Sequence, residues 1–199
     1  MNKAEKHKIK QAGLLALQDV ELHPDRYEAM LGVYSGSIAF FSKIIVWFTR
    51  GQKGKGAHHT STVYVHKDTG VPVAETHSLE GWGVIATEFG ALCNEPTTIT
   101  VKRVSGVEPP QAIYERNLPR FGAGYQFPWG FFTKRRSDNP DKWFCSELSN
   151  DNFKLQDCLN LLVSPFWANA SPKAKEVYGV YRKGRFALTR KKREDTLCR

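Results

Sequence analysis

His59-Thr60-Ser61-Thr62-Val63-Tyr64-Val65-His66 runs through Lys67-Asp68-Thr69-Gly70 into Val71-Pro72-Val73-Ala74-Glu75-Thr76-His77. The first run alternates, with Val63 and Val65 on one side and Thr60, Thr62 and Tyr64 on the other. A period of two is the pattern of a strand. Asp68-Thr69-Gly70 supplies turn chemistry, so residues 59–77 are expected to form a β-hairpin. Loop length then sets which side chains share a face. A three-residue loop, with Gly70 in the left-handed position it favours, pairs Lys67 with Val71. Val63 then lies opposite Glu75 and Ser61 opposite His77, which puts Glu75 and His77 on the face of His59. A two-residue turn would send both away.

Working outward, residues 3–21 suit an amphipathic helix, because Ile9, Ala12, Gly13, Ala16, Leu17 and Val20 recur at helical spacing. Pro24 ends it, and Asp25 is placed to cap a short turn through Leu31. Residues 36–41 read as a short buried strand. Ser42 is placed to cap a helix over 43–49, and 51–56 is a loop rich in Gly and Lys. Beyond the hairpin, Gly81 to Ile85 begins another extended piece, and Thr97 to Val104 is a β-branched strand. Pro109-Pro110 marks a boundary before a helix over 111–118. Residues 119–141 form a loop rich in glycine and aromatic residues, a composition suited to a binding loop or lid. A helix opens at Trp143-Phe144-Cys145 and runs to about Leu162, Pro165 and Pro172 flank a loop, and a basic tail follows. Helices, then strands, then a helix point to an α+β fold with a small antiparallel sheet packed against helices.

Composition narrows the function classes. The chain has 199 residues and a formal charge of +9, with 41% hydrophobic and 25% charged residues, which is a globular balance. The longest apolar run, Ile38 to Phe48, is broken by Ser42 and Lys43 and falls short of the ~20 residues a membrane helix needs. No secretory signal is read at the N-terminus, so a cytoplasmic or virion-associated location is expected. Cys93, Cys145, Cys158 and Cys198 lack zinc-ligand spacing, and outside a secretory context they are expected to be free thiols. Positive charge gathers at Arg50-Lys55, at Lys134-Arg136 and most densely between Arg182 and Arg193. It suits an anionic partner, whether cell wall, membrane surface or nucleic acid.

Cys145 is the candidate nucleophile. It opens a helix, where unpaired N–H groups and the helix dipole favour a thiolate. His59, at a strand start beside a loop, is the candidate general base. Glu75 or His77, across the hairpin, would orient its ring.

These pieces resemble the circularly permuted branch of the NlpC-type papain-like cysteine hydrolases, which includes YiiX-like proteins and relatives of lecithin:retinol acyltransferase. Gly36-Ser37-Ile38-Ala39-Phe40 resembles the family's opening strand and Ser42 to Gly51 its following helix and loop. His59-Thr60-Ser61-Thr62-Val63 resembles its histidine strand, and Val73-Ala74-Glu75 the strand with the third polar residue. Gly124-Tyr125 and Trp143-Phe144-Cys145-Ser146-Glu147-Leu148 resemble the approach to the nucleophile and its motif. Ser37 stands where the family usually has Asp, and His58-His59 is doubled. The resemblance covers about residues 32–162. It implies a permuted papain-like domain over 32–180, preceded by a helical segment (1–31) and followed by a basic tail (181–199). It implies a thiol hydrolase with Cys145, His59 and Glu75 as its catalytic set, acting on an amide or peptide bond such as those of cell-wall peptides, with no metal or organic cofactor. An acyltransferase or lipid-ester hydrolase on an acyl substrate, or a non-enzymatic binding or virion protein, are the alternatives.

Overall fold

The computed structural model describes residues 2–36, 42–43, 45–46, 56–93, 96–125, 141–155 and 165–189, except the side chains of 166 and 167. Helix α1 (Lys3–Leu22) begins with a reciprocal cap, in which the Asn2 side chain accepts from the Glu5 amide and Glu5 accepts from the Asn2 amide. Gly13 is where α1 touches the sheet: a Cβ there would lie 2.4 Å from the Ala86 carbonyl, so only glycine permits the approach.

The sheet is antiparallel at every pairing and larger than expected. Its strands are β1 (Tyr27–Ser35), β2 (Ala57–His66), β3 (Pro72–Leu79), β4 (Gly83–Glu88), β5 (Thr98–Arg103), β8 (Glu176–Arg182) and β9 (Arg185–Leu188). Their spatial order is β4-β3-β2-β1-β5-β8-β9. A two-stranded parallel piece pairs β6 (Gly124–Tyr125) with β7 (Lys142–Trp143). The remaining helices are α2 (Pro110–Asn117), α3 (Cys145–Phe153) and α4 (Pro165–Ala170).

Several sequence expectations give way. The turn capped by Asp25 is only the 3-10 segment Pro24–Arg26, and residues 27–31 belong to β1. Glu28, Ala29, Met30 and Leu31 favour helix locally, but pairing with β2 on one side and β5 on the other overrides that preference. The helix expected to reach Leu162 stops at Phe153, because Lys154 turns left-handed at φ 48°. Helix α4 occupies part of the loop expected between Pro165 and Pro172. The basic tail begins as the β8–β9 hairpin, an integral part of the sheet. The boundaries expected at 31/32 and 180/181 therefore fall inside β1 and β8. Ser42, Lys43, Ile45 and Val46 are helical. Most of the strand expected over 36–41, the loop over 51–55, the aromatics at 127–132 and residues 190–199 lie outside the described residues.

The sheet rolls. β4 and β8 are five strand positions apart, about 24 Å if the sheet were flat. Phe89, just beyond β4, nevertheless has its ring 5.2 Å from Tyr181 of β8 and 5.7 Å from Phe186 of β9. Register shifts at Tyr34/Ser35, Tyr64/Val65 and Val101/Lys102 bend the strands and tighten their twist. The inner face of the roll carries Met30, Tyr34, Val63, Val65, Ile99 and Val101. The outer face carries Leu31, Val33, Tyr64, Ala74 and Ala86, packed with Leu17 and Val20 of α1, Ile113 of α2 and Phe153 of α3. No helix of the described residues is long and apolar enough to cross a membrane.

Candidate functional site

The hairpin register reaches the expected result by another route. The loop has four residues, closed by His66 N–H to Val71 O at 3.0 Å and Gly70 N–H to His66 O at 2.8 Å. A register shift between Tyr64↔Ala74 and Val65↔Pro72 leaves Val73 as the extra residue, so Val63 still faces Glu75. On the other side of β2, the shift between Tyr34↔His59 and Ser35↔Ala57 leaves His58 as the extra residue.

Glu75, His77 and His59 meet on the inner face, but in an order the sequence left open. The polar contact of His59 is with His77, whose Nδ1 lies 3.4 Å from His59 Nε2, while the Tyr34 ring packs edge-on at 4.9 Å. Thr87 Oγ1 lies 3.2 Å from His77 Nε2. Glu75 stands one step further back, with Oε2 3.8 Å from His77 Nδ1. Its carboxyl accepts from the Tyr34 hydroxyl and, at 2.9 Å, from the Gly90 amide. The imidazole in polar contact with His59 is thus that of His77, with Glu75 behind it. The sequence carried that signal, since His77 lies nearer His59 in the same register.

Burial sets the charge state of this chain. His77 is lowered to about 3 and His58 to about 4, both by loss of water. His59 is lowered too, by burial first and then by its neighbours His77 and His58. The Glu75 carboxyl is raised by burial, partly offset by Tyr34, Gly90 and Ser61. The contact of His77 with Glu75 is therefore one between a neutral imidazole and a carboxyl, not an ion pair. A consistent arrangement of protons has His77 Nε2–H donating to Thr87 and His59 Nε2–H donating to His77. It leaves His59 Nδ1 with a lone pair.

Cys145 reaches the site from the other direction. Helix α3 packs on the outer face, where Ser149 Oγ donates to Thr60 Oγ1 at 3.0 Å and Asn152 Nδ2 to Thr62 Oγ1 at 2.9 Å. The ladder between β2 and β3 starts at Thr62↔Thr76. Ahead of it, the head of α3 engages both strands: Ser78 Oγ of β3 donates to Trp143 O at 2.6 Å, and the Cys145 sulfur bonds Thr60 of β2. The helix start is anchored by Glu147, whose carboxylate accepts from the Phe144 amide at 3.3 Å. Thr60 directly follows His59, so the sulfur lies beside the backbone that carries the candidate base. The His59 imidazole itself is turned inward to His77 and makes no hydrogen bond to the sulfur.

The thiolate expected at Cys145 is not its resting state. The residue is 1% exposed, and burial pushes the thiol up to about 12. The Thr60 amide and hydroxyl and the amides of Ser146 and Cys145 act against that rise without cancelling it. Cys93, given no role from sequence, is half-buried near Glu75 and pushed up to about 11 by burial and that carboxyl. Its Sγ donates to Thr97 O at 3.4 Å. Tyr34, the partner of Glu75, was also missed, because β1 was not read as a strand. Among the described residues no group of His, Cys, Asp and Glu is arranged to hold a metal ion.

Comparison with protein-family models gave no match, and no curated protein matched the chain.

Proposed function

We propose that the chain is a thiol hydrolase of the permuted papain-like type, cleaving an amide or peptide bond such as those in cell-wall peptides. The observation that carries this reading is the seating of the Cys145 sulfur at the head of α3, among amide N–H groups and one residue from His59. Cys145 attacks the substrate carbonyl carbon and its proton passes to His59, whose ring first turns from His77 on the inner face towards the sulfur on the outer face. The carbonyl electrons move onto oxygen, where the Cys145 and Ser146 amides are placed to donate. The C–N bond then breaks, the amine takes the proton from His59, and water hydrolyses the thioester. Before that turn, His77 holds the ring of His59, and Glu75 fixes the residues behind it. A base that lacks its hydrogen bond before substrate arrives is common in free enzymes. A neutral thiol and a neutral imidazole fit proton transfer during attack rather than a standing ion pair.

The test is acyl trapping. Purified protein is incubated with a short peptide activated ester, quenched in acid and mapped by peptide mass spectrometry. The expected result is an acyl group on the peptide containing Cys145, lost in Cys145→Ala and formed far more slowly in His59→Ala. Acylation at another cysteine, or turnover that survives Cys145→Ala, would remove the assignment.

A further inference from the structure

The β8–β9 hairpin breaks two local rules at its tip. The turn between Arg182 and Arg185 has both central residues at positive φ, Lys183 at 52° and Gly184 at 74°. That is the tight hairpin turn whose first position favours Asn, Asp or Gly. A lysine there is strained, because its Cβ crowds the carbonyl that follows. Arg182 and Arg185 are also direct cross-strand partners, and like charges placed opposite each other destabilise a hairpin. Breaches of local preference without structural gain point to function.

Three further observations say what the tip meets. Arg182, Lys183 and Arg185 are exposed. Among the described residues, no carboxylate pairs with any of them. Arg103, on the neighbouring strand, is held by Glu28 at 3.4 Å and Glu176 at 3.3 Å. The charge is not there to block edge pairing, since the rest of edge strand β9 is Phe186, Ala187 and Leu188.

We propose that the β8–β9 ribbon docks on double-stranded nucleic acid, with Arg182, Lys183 and Arg185 contacting its phosphates. A two-stranded ribbon fits the major groove, which is about 12 Å wide. Single strands are held mainly by stacking on aromatic rings, but Tyr181 and Phe186, which flank the tip, are turned against Phe89. A membrane surface calls for apolar side chains that can be buried in it, and residues 182–185 offer none. Phosphate contact would also relieve the repulsion between the two arginines.

The test uses the full chain, so residues 190–199 stay constant. Binding to a fluorescein-labelled mixed-sequence duplex is followed by anisotropy between ~50 and ~200 mM salt. In the triple variant Arg182→Gln, Lys183→Gly, Arg185→Gln, the slope of log K against log salt is expected to shrink by about 2–3, at about 0.9 for each phosphate no longer neutralised. Lys183→Gly alone should raise the melting temperature while weakening binding, which separates an effect on the phosphates from an effect on folding. An unchanged slope in the triple variant would overturn the proposal. So would phosphatidylserine vesicles that bind through these three residues while the duplex does not bind.

Discussion

Two polar regions meet where β2 begins, and they handle burial in opposite ways. The inner chain Thr87–His77–His59, with Glu75 and Tyr34 behind it, pairs its members with one another and keeps its imidazoles neutral. The Cys145 sulfur, one residue away across the strand, is surrounded by donors yet keeps its proton. The inner chain is ordered before any substrate arrives, whereas the thiol needs a further event to ionise. The difference teaches that positioning and reactivity are built separately here, the first by buried hydrogen bonds and the second by amides at a helix start.

The comparison breaks most readily in acid. His58 and His77 are lowered from 6.5 to about 4 and about 3, so below pH 6.5 the unfolded chain takes up protons that the folded chain refuses. Stability is expected to fall by about 1.4 kcal/mol per pH unit for each histidine as pH drops from about 6 towards 4. His59, also lowered, adds to that slope. Glu75, raised, works the other way: its contribution is present at low pH and lost as pH rises through its folded value. Urea unfolding at pH 7, 6 and 5 measures the sum, and a flat profile would mean that the imidazoles are not held neutral.

The proposed base comes next. His59→Ala is expected to lower kcat/KM by ~10²–10⁴-fold, as loss of a general base does. His77→Phe should reproduce part of that loss, mostly in kcat, with the pH profile shifted. Equal activity in both variants would uncouple the two regions.

Glu75→Ala strips the Tyr34 hydroxyl and the Gly90 amide of their buried acceptor. A cost of about 3 kcal/mol in denaturant unfolding is expected, larger than that of Cys145→Ala, which removes only a small buried group. The reverse order would place the structural weight on the α3 side.

The gentlest probe sits between the regions. Thr60→Val removes a hydroxyl shared by Ser149 and the Cys145 sulfur. About 1 kcal/mol of stability should go, the thiol should rise further, and alkylation of Cys145 should slow at any given pH. Thr60→Ser should restore all three, and failure of that rescue would show that only the shape of Thr60 matters.

Much of the fold was legible because its cues are local. Alternation from His59 to His66 and the Asp68-Thr69-Gly70 turn placed the hairpin, and helical spacing placed α1 with Gly13 on its buried side. β1 was hidden because it is paired on both sides and buried on both faces, which erases alternation. β8 and β9 were hidden because their cations read as a tail, although Lys183-Gly184 between two β-rich runs was a turn signal. Of the candidate site, the shared face of His59, Glu75 and His77 was readable from register, as was Cys145 at a helix start.

By itself, the sequence determined an α+β chain with a central hairpin, a thiol at a helix start and a basic C-terminal region, since these follow from periodicity, turn residues and charge. Only the tertiary structure decided that His77 rather than Glu75 touches His59, that the His59 ring turns away from Cys145, and that burial keeps the thiol protonated. Those outcomes depend on strand bulges, on the roll of the sheet and on how much water each group loses, and all three are set by contacts between residues far apart in the chain.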